Sequence, residues 1–190
     1  MSYYPVLLDL KEKKCIVIGG GKVARRKVRS LLKSEARVCV ISPNLNPGLR
    51  RLSEKEKISW IKSYYRKKFL KGAFLVIAAT DNKQVNSRVS RDAAAANVLV
   101  NVVDSPAESS FIVPAVIQDG DLIVGISTSG QVPYLSRKIK EDINKSIIPR
   151  YAKALVSLRN ARRQLKASCP SFKKRKAILA RLAGKALILK

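Results

Sequence analysis

A glycine-rich turn near the N-terminus places the strongest constraint on what this chain can fold into. Residues 19–24 read Gly-Gly-Gly-Lys-Val-Ala, directly after an apolar run and directly before a stretch with helical periodicity. This G-x-G-x-x-A pattern between a strand and a helix is typical of a dinucleotide-binding turn. In such a turn Gly19 permits the tight bend, Gly21 lets backbone amides approach a pyrophosphate, and Ala24 lets the helix pack against its strand. The alternative is a glycine-rich turn that binds nothing.

The first part of the chain alternates apolar runs with helical segments. We predict strands over Lys14–Gly19, Arg37–Ile41, Ile58–Ile61, Ala73–Ala79 and Val98–Val103, and helices over Val23–Lys33, Leu49–Lys57 and Gln84–Ala96. Continuous apolar runs are typical of parallel strands buried on both faces. Strands that alternate with helices imply right-handed βαβ units. The predicted fold class is therefore α/β, with a Rossmann-like doubly wound parallel sheet.

The pattern changes after about residue 110. Phe111–Ile117 and Leu122–Ser127 flank an Asp-Gly pair, which predicts a β-hairpin. A helix is expected over 133–148, and Pro149 and Pro170 then delimit two further basic helices. We therefore predict a dinucleotide-binding domain over residues 1–110, a hairpin–helix region over 111–148 and a basic helical segment over 149–190.

Composition narrows both the chemistry and the partners. The 190 residues include 39 Lys and Arg against 13 Asp and Glu, and there is no histidine. A net charge of +26 attracts polyanions, for which nucleic acid and a small polycarboxylate fit equally well. No acidic residue follows Asp142, so the C-terminal segment carries a disproportionate share of the excess. Without histidine, any acid–base chemistry must be carried out by Asp, Glu, Lys, Tyr, Cys or the cofactor. Metal sites with histidine ligands are excluded.

The expected location is cytoplasmic. The first residues lack the features of a signal peptide, and no apolar run approaches the length of a membrane span. Cys15, Cys39 and Cys169 form no C-x-x-C pair, and the first two lie in predicted strands. We expect those two to be small buried hydrophobic side chains, and we expect no metal site and no membrane partner.

Two further loops follow predicted strands at the edge where ligands bind in a doubly wound sheet. Thr80 and Asp81 follow one strand, and Asp104 follows the next. With no histidine available, Asp104 is the leading candidate for a general base, and a turn aspartate before Ser-Pro is the alternative. Asp81 has the same ambiguity, since Asn82 beside it fits a helix cap.

The end of the second strand lacks an expected acidic residue. NAD-binding folds usually place Asp or Glu about 20 residues beyond the glycines, on the ribose hydroxyl. This chain has Ser42, Pro43 and Asn44 there. Ser42 or Asn44 could bond the ribose more weakly, and the neutral position leaves NADP open although no arginine stands directly there.

A loop of small polar residues precedes the helix predicted from Pro133. Its members are Ser127, Thr128, Ser129 and Gly130. Small hydroxyl residues and glycine before a helix can form an anion-binding site. Simple capping of the helix is at least as good an interpretation.

Several segments in one order resemble the precorrin-2 dehydrogenase family, which includes the N-terminal module of siroheme synthase. They are Tyr4–Leu10, Val17–Lys27, Phe74–Asp81, Asn101–Asp104, Phe111–Ala115 and Ile126–Gly130. Together they span residues 3 to about 148. The resemblance implies NAD-dependent oxidation of precorrin-2, an anionic tetrapyrrole, to sirohydrochlorin. It also implies a homodimer that exchanges the region starting at the hairpin, which makes 111–148 a dimerisation region.

The resemblance also assigns roles to residues. It implies that Asp104 is the catalytic general base. It implies further that Lys22, Val23, Pro43 and Asn44 contact the dinucleotide. A neutral residue at the end of the second strand is usual in the family. Some members also insert Fe²⁺ or Co²⁺ into the product, so a bifunctional dehydrogenase and chelatase is the alternative function.

The chain departs from the family pattern in two places. In the family the Ser127–Gln131 loop usually continues with Ser-Pro before its helix, whereas this chain has Val132-Pro133-Tyr134 there. Residues beyond about 150 are also far more basic than usual. We expect no methyltransferase domain of the kind found in fused siroheme synthases, because 190 residues are too few to hold it as well. A nucleotide-sensing or nucleic-acid-binding protein is a third hypothesis, which the basic tail suggests. We do not expect nucleic acid as a partner, because Tyr151 and Phe172 are the few aromatic residues there that could stack on bases.

Overall fold

The computed structural model describes residues 3–188, and the side chains of residues 3–186. The chain divides into two compact units, Met1–Val113 and Pro114–Lys190. Each unit has its own secondary structure, and each is described by itself below. None of the helices in the described part of the chain combines the length and apolar character of a membrane span.

The first unit is built on a five-stranded parallel sheet. Its strands are β1 (Lys14–Ile18), β2 (Arg37–Ile41), β3 (Ser59–Ile61), β4 (Leu75–Ala78) and β5 (Leu99–Val102). Their order across the sheet is β3-β2-β1-β4-β5, so β1 lies between β2 and β4. At the carboxyl end of β1, Ile18 pairs with Ile41 on one side and with Ala78 on the other. This is the predicted doubly wound parallel sheet, and the fold class is confirmed.

Helices cover the sheet, and the core lies on both of its faces. They are α1 (Lys22–Lys33), α2 (Pro47–Glu54) and α3 (Lys83–Ala95). Successive residues of β1 point to opposite faces, as the period of a strand requires. Cys15 and Val17 pack in a cluster with Val28 of α1, whereas Ile16 packs in a second cluster with Val89 of α3. Cys15 is a buried free thiol, as expected, and burial raises its pKa to about 11. Cys39 was expected to be buried as well, but it is only half-buried.

The described residues of the second unit form a hairpin and three helices. The hairpin pairs β6 (Ala115–Asp119) with β7 (Leu122–Ile126), and the helices are α4 (Pro133–Ser146), α5 (Ile148–Ser168) and α6 (Phe172–Ile188). Asp119 pairs with Leu122, which leaves a two-residue loop of Gly120 and Asp121. Gly120 has φ +55°, a backbone conformation that glycine adopts without a steric penalty. Arg159 of α5 forms an ion pair with Asp121 at 2.6 Å.

Some predicted boundaries are wrong, and prolines account for two of them. The first hairpin strand begins at Ala115 rather than Phe111, because Pro114 has no N–H to donate to a ladder. The helix from Pro133 ends at Ser146, and Pro149 lies in the first turn of α5, where its missing N–H costs nothing. Two 3-10 helices, Lys67–Leu70 and Pro106–Glu108, were not predicted.

Candidate active site

The strand order reverses between β1 and β4, and a ligand crevice forms at such a reversal in open α/β sheets. Two loops meet there, the glycine turn after β1 and the Thr80 loop after β4. A Cβ built on Gly19 would lie 2.4 Å from the carbonyl oxygen of Ala79 and 3.2 Å from the nitrogen of Thr80. The two loops therefore pack backbone against backbone.

Close contacts within the protein leave no room for a side chain at Gly19 or at Gly20. Gly19 has φ +117°, and its N–H donates to the carbonyl of Ile41 at 2.9 Å. A Cβ on Gly20 would lie only 1.9 Å from the carbonyl oxygen of Asn44. Any side chain at either position would therefore push apart the loops that follow β2 and β4.

Gly21 is different, because no protein atom requires a glycine there. It is the N-cap of α1 with φ −84°, and a Cβ built on it would meet nothing within 4 Å. No side chain caps the helix, and its first turn contains no acidic residue. Backbone N–H groups at a helix start attract anions. The open space beside them fits a bound pyrophosphate.

The first turn of α1 places the remaining members of the motif. Lys22 is exposed and Val23 is half-buried, so both are at the surface beside Gly21. Ala24 is completely buried in the core. A larger residue at this position would hold the helix away from the sheet.

Asn46 fixes the glycine turn, and it was missed from the sequence. Its side-chain amide donates to the carbonyls of Gly20 at 3.0 Å and Gly21 at 2.7 Å. Its side-chain oxygen accepts from the backbone N–H groups of Gly48 and Leu49, which caps α2. One side chain therefore joins the start of α2 to the turn. In sequence, an asparagine before Pro-Gly is equally typical of an ordinary turn residue.

The residues at the end of β2 have unequal access to a ligand. Ser42 is buried, and its hydroxyl donates to the carbonyl of Asn44 at 2.7 Å. The indole of Trp60 donates to the Ser42 carbonyl at 3.0 Å. Pro43 is half-buried and the Asn44 side chain is exposed. Of the three, Asn44 has the most exposed side chain.

An arginine from α1 lies against the start of α2, although no arginine stands at the end of β2 itself. The side chain of Arg25, from α1, packs over Gly48 at the start of α2, where a built Cβ would lie 2.7 Å from a guanidinium nitrogen. Because Arg25 lies one position beyond the glycine motif, sequence spacing did not connect it with the end of β2.

The Thr80 loop is held by a buried asparagine that was also missed. The Thr80 hydroxyl lies 2.7 Å from the side-chain oxygen of Asn86. The Asn86 amide donates to the Thr80 carbonyl at 3.1 Å. Asn82 caps α3 by accepting from the N–H of Val85. Asp81 is exposed at the tip of this loop.

Asp104 lies on a loop next to the Thr80 loop. The N–H of Val103 donates to the Ala78 carbonyl at 2.9 Å, which aligns the end of β5 with that of β4. Asp104 is exposed and has φ +62°, an uncommon conformation for a residue other than glycine. Asp104 therefore presents an exposed carboxylate at the ligand-binding edge of the sheet.

The segment after Asp104 is anchored to α3. The Ser87 hydroxyl donates to the carboxylate of Glu108, and the Ser90 hydroxyl donates to the Glu108 carbonyl at 2.6 Å. Hydrogen bonds from Ser87 and Ser105 lower the pKa of Glu108. The Asp104 loop is thus fixed at both ends.

A lysine from α1 completes this side of the site. The Lys27 ammonium donates to the side-chain oxygen of Asn101 on β5 at 3.2 Å, and the Asn101 amide donates to the Phe111 carbonyl at 3.1 Å. Burial lowers the pKa of Lys27, the charge of Arg26 lowers it further, and the charge of Asp104 raises it. Lys27 was part of the family motif in the sequence but had no role assigned.

The Ser127–Gly130 loop belongs to the second unit, between β7 and α4. The Ser127 hydroxyl accepts from the Ser129 N–H, and the Thr128 hydroxyl accepts from the N–H of Val132. Ser129 and Gly130 both have positive φ, at +53° and +80°. These bonds lie within the loop, and they do not cap α4, because its N-cap is Val132 and no side chain caps that helix. In the part of the chain that the structure describes, no three His, Cys, Asp or Glu side chains group closely enough to hold a metal.

The sequence of this chain is similar to one protein family and to several siroheme synthases. Residues 6–115 match a family described as "Putative NAD(P)-binding". The chain is 40% identical over 177 residues to the siroheme synthase of Photobacterium profundum, which covers 93% of this chain and 38% of that protein. It is 42% identical over 149 residues to the siroheme synthase of Methylobacillus flagellatus, covering 78% of this chain and 32% of that protein. The chain thus spans less than half the length of these relatives.

A solved structure extends the similarity to nearly the whole chain. It is that of "SirC, precorrin-2 dehydrogenase", with a TM-score of 0.82 and 26% sequence identity. The similarity covers 95% of this chain and 89% of that one. Both units therefore have counterparts in a single known structure.

Proposed function

We propose that this chain, which belongs to the NAD(P)-binding family of precorrin-2 dehydrogenases, oxidises precorrin-2 to sirohydrochlorin with NAD⁺. The observation that carries the proposal is the exposed carboxylate of Asp104, at the same edge of the sheet as the open N-terminus of α1. The names of the similar proteins, siroheme synthase and precorrin-2 dehydrogenase, supply the substrate. The high positive charge of the chain suits a polycarboxylate.

The residues of the turn would hold the dinucleotide. The backbone amides at Gly21, Lys22 and Val23 would face its pyrophosphate, and Asn46 would keep the turn in shape. Asn44 would contact the ribose, and Thr80 and Asp81 would lie along the cofactor. A nicotinamide dinucleotide follows from the family, and NAD rather than NADP is our proposal from the resemblance described above.

The chemistry requires the loss of a hydride and a proton from the substrate. The nicotinamide ring, when bound, supplies the hydride acceptor. Asp104 accepts the proton, because it is an exposed carboxylate on a fixed loop and the chain has no histidine. The bonds of Glu108 to α3 hold that loop in place while the proton moves.

We also propose that the protein is a cytoplasmic homodimer in which residues 111–148 form the dimerisation region. Several apolar side chains of that region are exposed in the single chain, among them Val116, Ile123 and Leu135. Ser127, Thr128, Ser129 and Gly130 would contribute to substrate binding.

The proposal is tested by substituting Asp104. Wild-type protein, Asp104→Asn and Asp104→Ala are compared for NADH formation from precorrin-2 and NAD⁺ without oxygen. We expect both variants to lose about a hundredfold to ten-thousandfold in kcat, the usual range for a general base. Their dissociation constants for NADH should match the wild type. Variants that retain full kcat would show that Asp104 is not the base.

A further inference from the structure

The Lys27 ammonium has unused capacity to bind an anion. A lysine ammonium can donate three hydrogen bonds. Among the described residues, Lys27 makes one hydrogen bond, to Asn101, and no ion pair. Asn101 is itself buried and bonded to Phe111, so it holds the ammonium in one position. Two donors therefore remain available at a fixed point.

The electrostatic surroundings of Lys27 favour an anionic ligand. Burial removes part of the water that would otherwise stabilise the cation, and Arg26 repels it. Asp104 attracts it without approaching to ion-pair distance. A second carboxylate that reached the ammonium would replace the missing water and would lie near Asp104.

A small cavity in the first unit indicates the size and the chemistry of such a ligand. It has a volume of about 120 Å³, and Lys27 shares its wall with apolar side chains that include Leu31, Ile77 and Phe111. An aliphatic arm that ends in a carboxylate has matching chemistry, with methylene groups against the apolar wall and an anion for the ammonium.

We propose that Lys27, held by Asn101, binds one peripheral carboxylate arm of the tetrapyrrole substrate beside Asp104. This inference depends on the proposed function for the identity of the substrate. It makes Lys27 a substrate-binding residue, distinct from the turn that holds the dinucleotide. Because Lys27 and Asp104 interact electrostatically, the bound arm would fix the macrocycle close to the proton acceptor.

The test is a binding measurement that does not require turnover. The full chain, Lys27→Met and Arg29→Met are titrated with uroporphyrin, a stable polycarboxylate tetrapyrrole, and binding is followed by porphyrin fluorescence. Arg29 is an exposed residue of the same helix, so its variant is the control for the loss of one positive charge. Lys27→Gln is a second variant, and NADH binding is measured for each protein.

We expect both Lys27 variants to bind uroporphyrin about tenfold to a hundredfold more weakly, the loss expected for one charge-assisted hydrogen bond. Arg29→Met should stay within about twofold of wild type, as a screened surface charge does. NADH binding should be unchanged throughout. The inference is overturned if the Lys27 variants bind uroporphyrin as tightly as wild type, or if the Arg29 variant loses as much uroporphyrin affinity as they do. It is also overturned if the Lys27 variants lose NADH binding together with uroporphyrin binding, or if the wild-type protein does not bind uroporphyrin. Binding of uroporphyrin without oxidation of precorrin-2 would instead contradict the proposed function alone.

Discussion

Substitution of Gly21 by alanine should separate cofactor binding from the stability of the fold. Gly21 has φ −84°, which any residue adopts, and a Cβ built there meets nothing within 4 Å. Alanine reduces the entropy of the unfolded chain but is a poorer N-cap than glycine. These effects oppose each other, so the free energy of unfolding should change by less than about 1 kcal/mol.

The same methyl group would occupy the space that a pyrophosphate needs. We therefore expect Gly21→Ala to raise the dissociation constant for NADH by at least about tenfold, equivalent to about 1.4 kcal/mol. Binding is measured by NADH fluorescence, and stability by thermal and urea unfolding of the same protein.

Gly20→Ala is the matched control, because its methyl group meets protein rather than open space. The built Cβ lies 1.9 Å from the Asn44 carbonyl oxygen, whereas ordinary contact begins at 3.4 Å. The obstacle is backbone, so we expect a loss of about 3 kcal/mol or more in the free energy of unfolding. If Gly21→Ala binds NADH as tightly as wild type, the assignment of Gly21 to the pyrophosphate is wrong. If it unfolds as easily as Gly20→Ala, the space beside Gly21 is not open.

Two further substitutions test the neighbours of the turn. Asn46→Ala should cost about 1–3 kcal/mol of stability, because it removes the cap of α2 and the bonds to the glycine carbonyls. Asn46→Ser keeps a good N-cap but has no amide to donate to the glycine carbonyls, so urea unfolding should show a smaller loss than for Asn46→Ala while NADH still binds more weakly. Equal losses of stability in the two variants would contradict this division of roles. Residues 42–44 at the end of β2 include no carboxylate to oppose a 2′-phosphate, and Arg25 packs over Gly48 in the helix that follows. NADP⁺ should therefore also bind, more weakly than NAD⁺ but by no more than about tenfold. Isothermal titration of Arg25→Glu should show weaker binding of NADP⁺ only, and an equal effect on NAD⁺ would refute this role.

The sheet could be predicted because each of its strands and helices is indicated by a pattern within a few consecutive residues. The apolar runs, the glycine turn and the alternating helices each report on a few consecutive residues, and β2 has the predicted bounds, Arg37–Ile41. The start of the hairpin was placed too early, because the apolar pattern from Phe111 outweighed the effect of Pro114.

The residues that support the site could not be predicted in the same way. Asn46 bonds to Gly20 across 26 positions, and Lys27 bonds to Asn101 across 74. Such contacts depend on the order of the strands in space, which a periodic pattern does not report. Loop asparagines are also common as caps, so their sequence context alone did not distinguish Asn46 or Asn86 from ordinary turn residues.

The most direct test of the central claim is to follow both products of one reaction together. Purified protein is mixed with precorrin-2 and NAD⁺ in the absence of oxygen, and the absorbance of NADH and that of sirohydrochlorin are recorded at the same time. The account predicts that the two products appear in equal amounts and at the same rate. Sirohydrochlorin that forms without NADH, or no oxidation of precorrin-2 by protein that binds NADH, would contradict it.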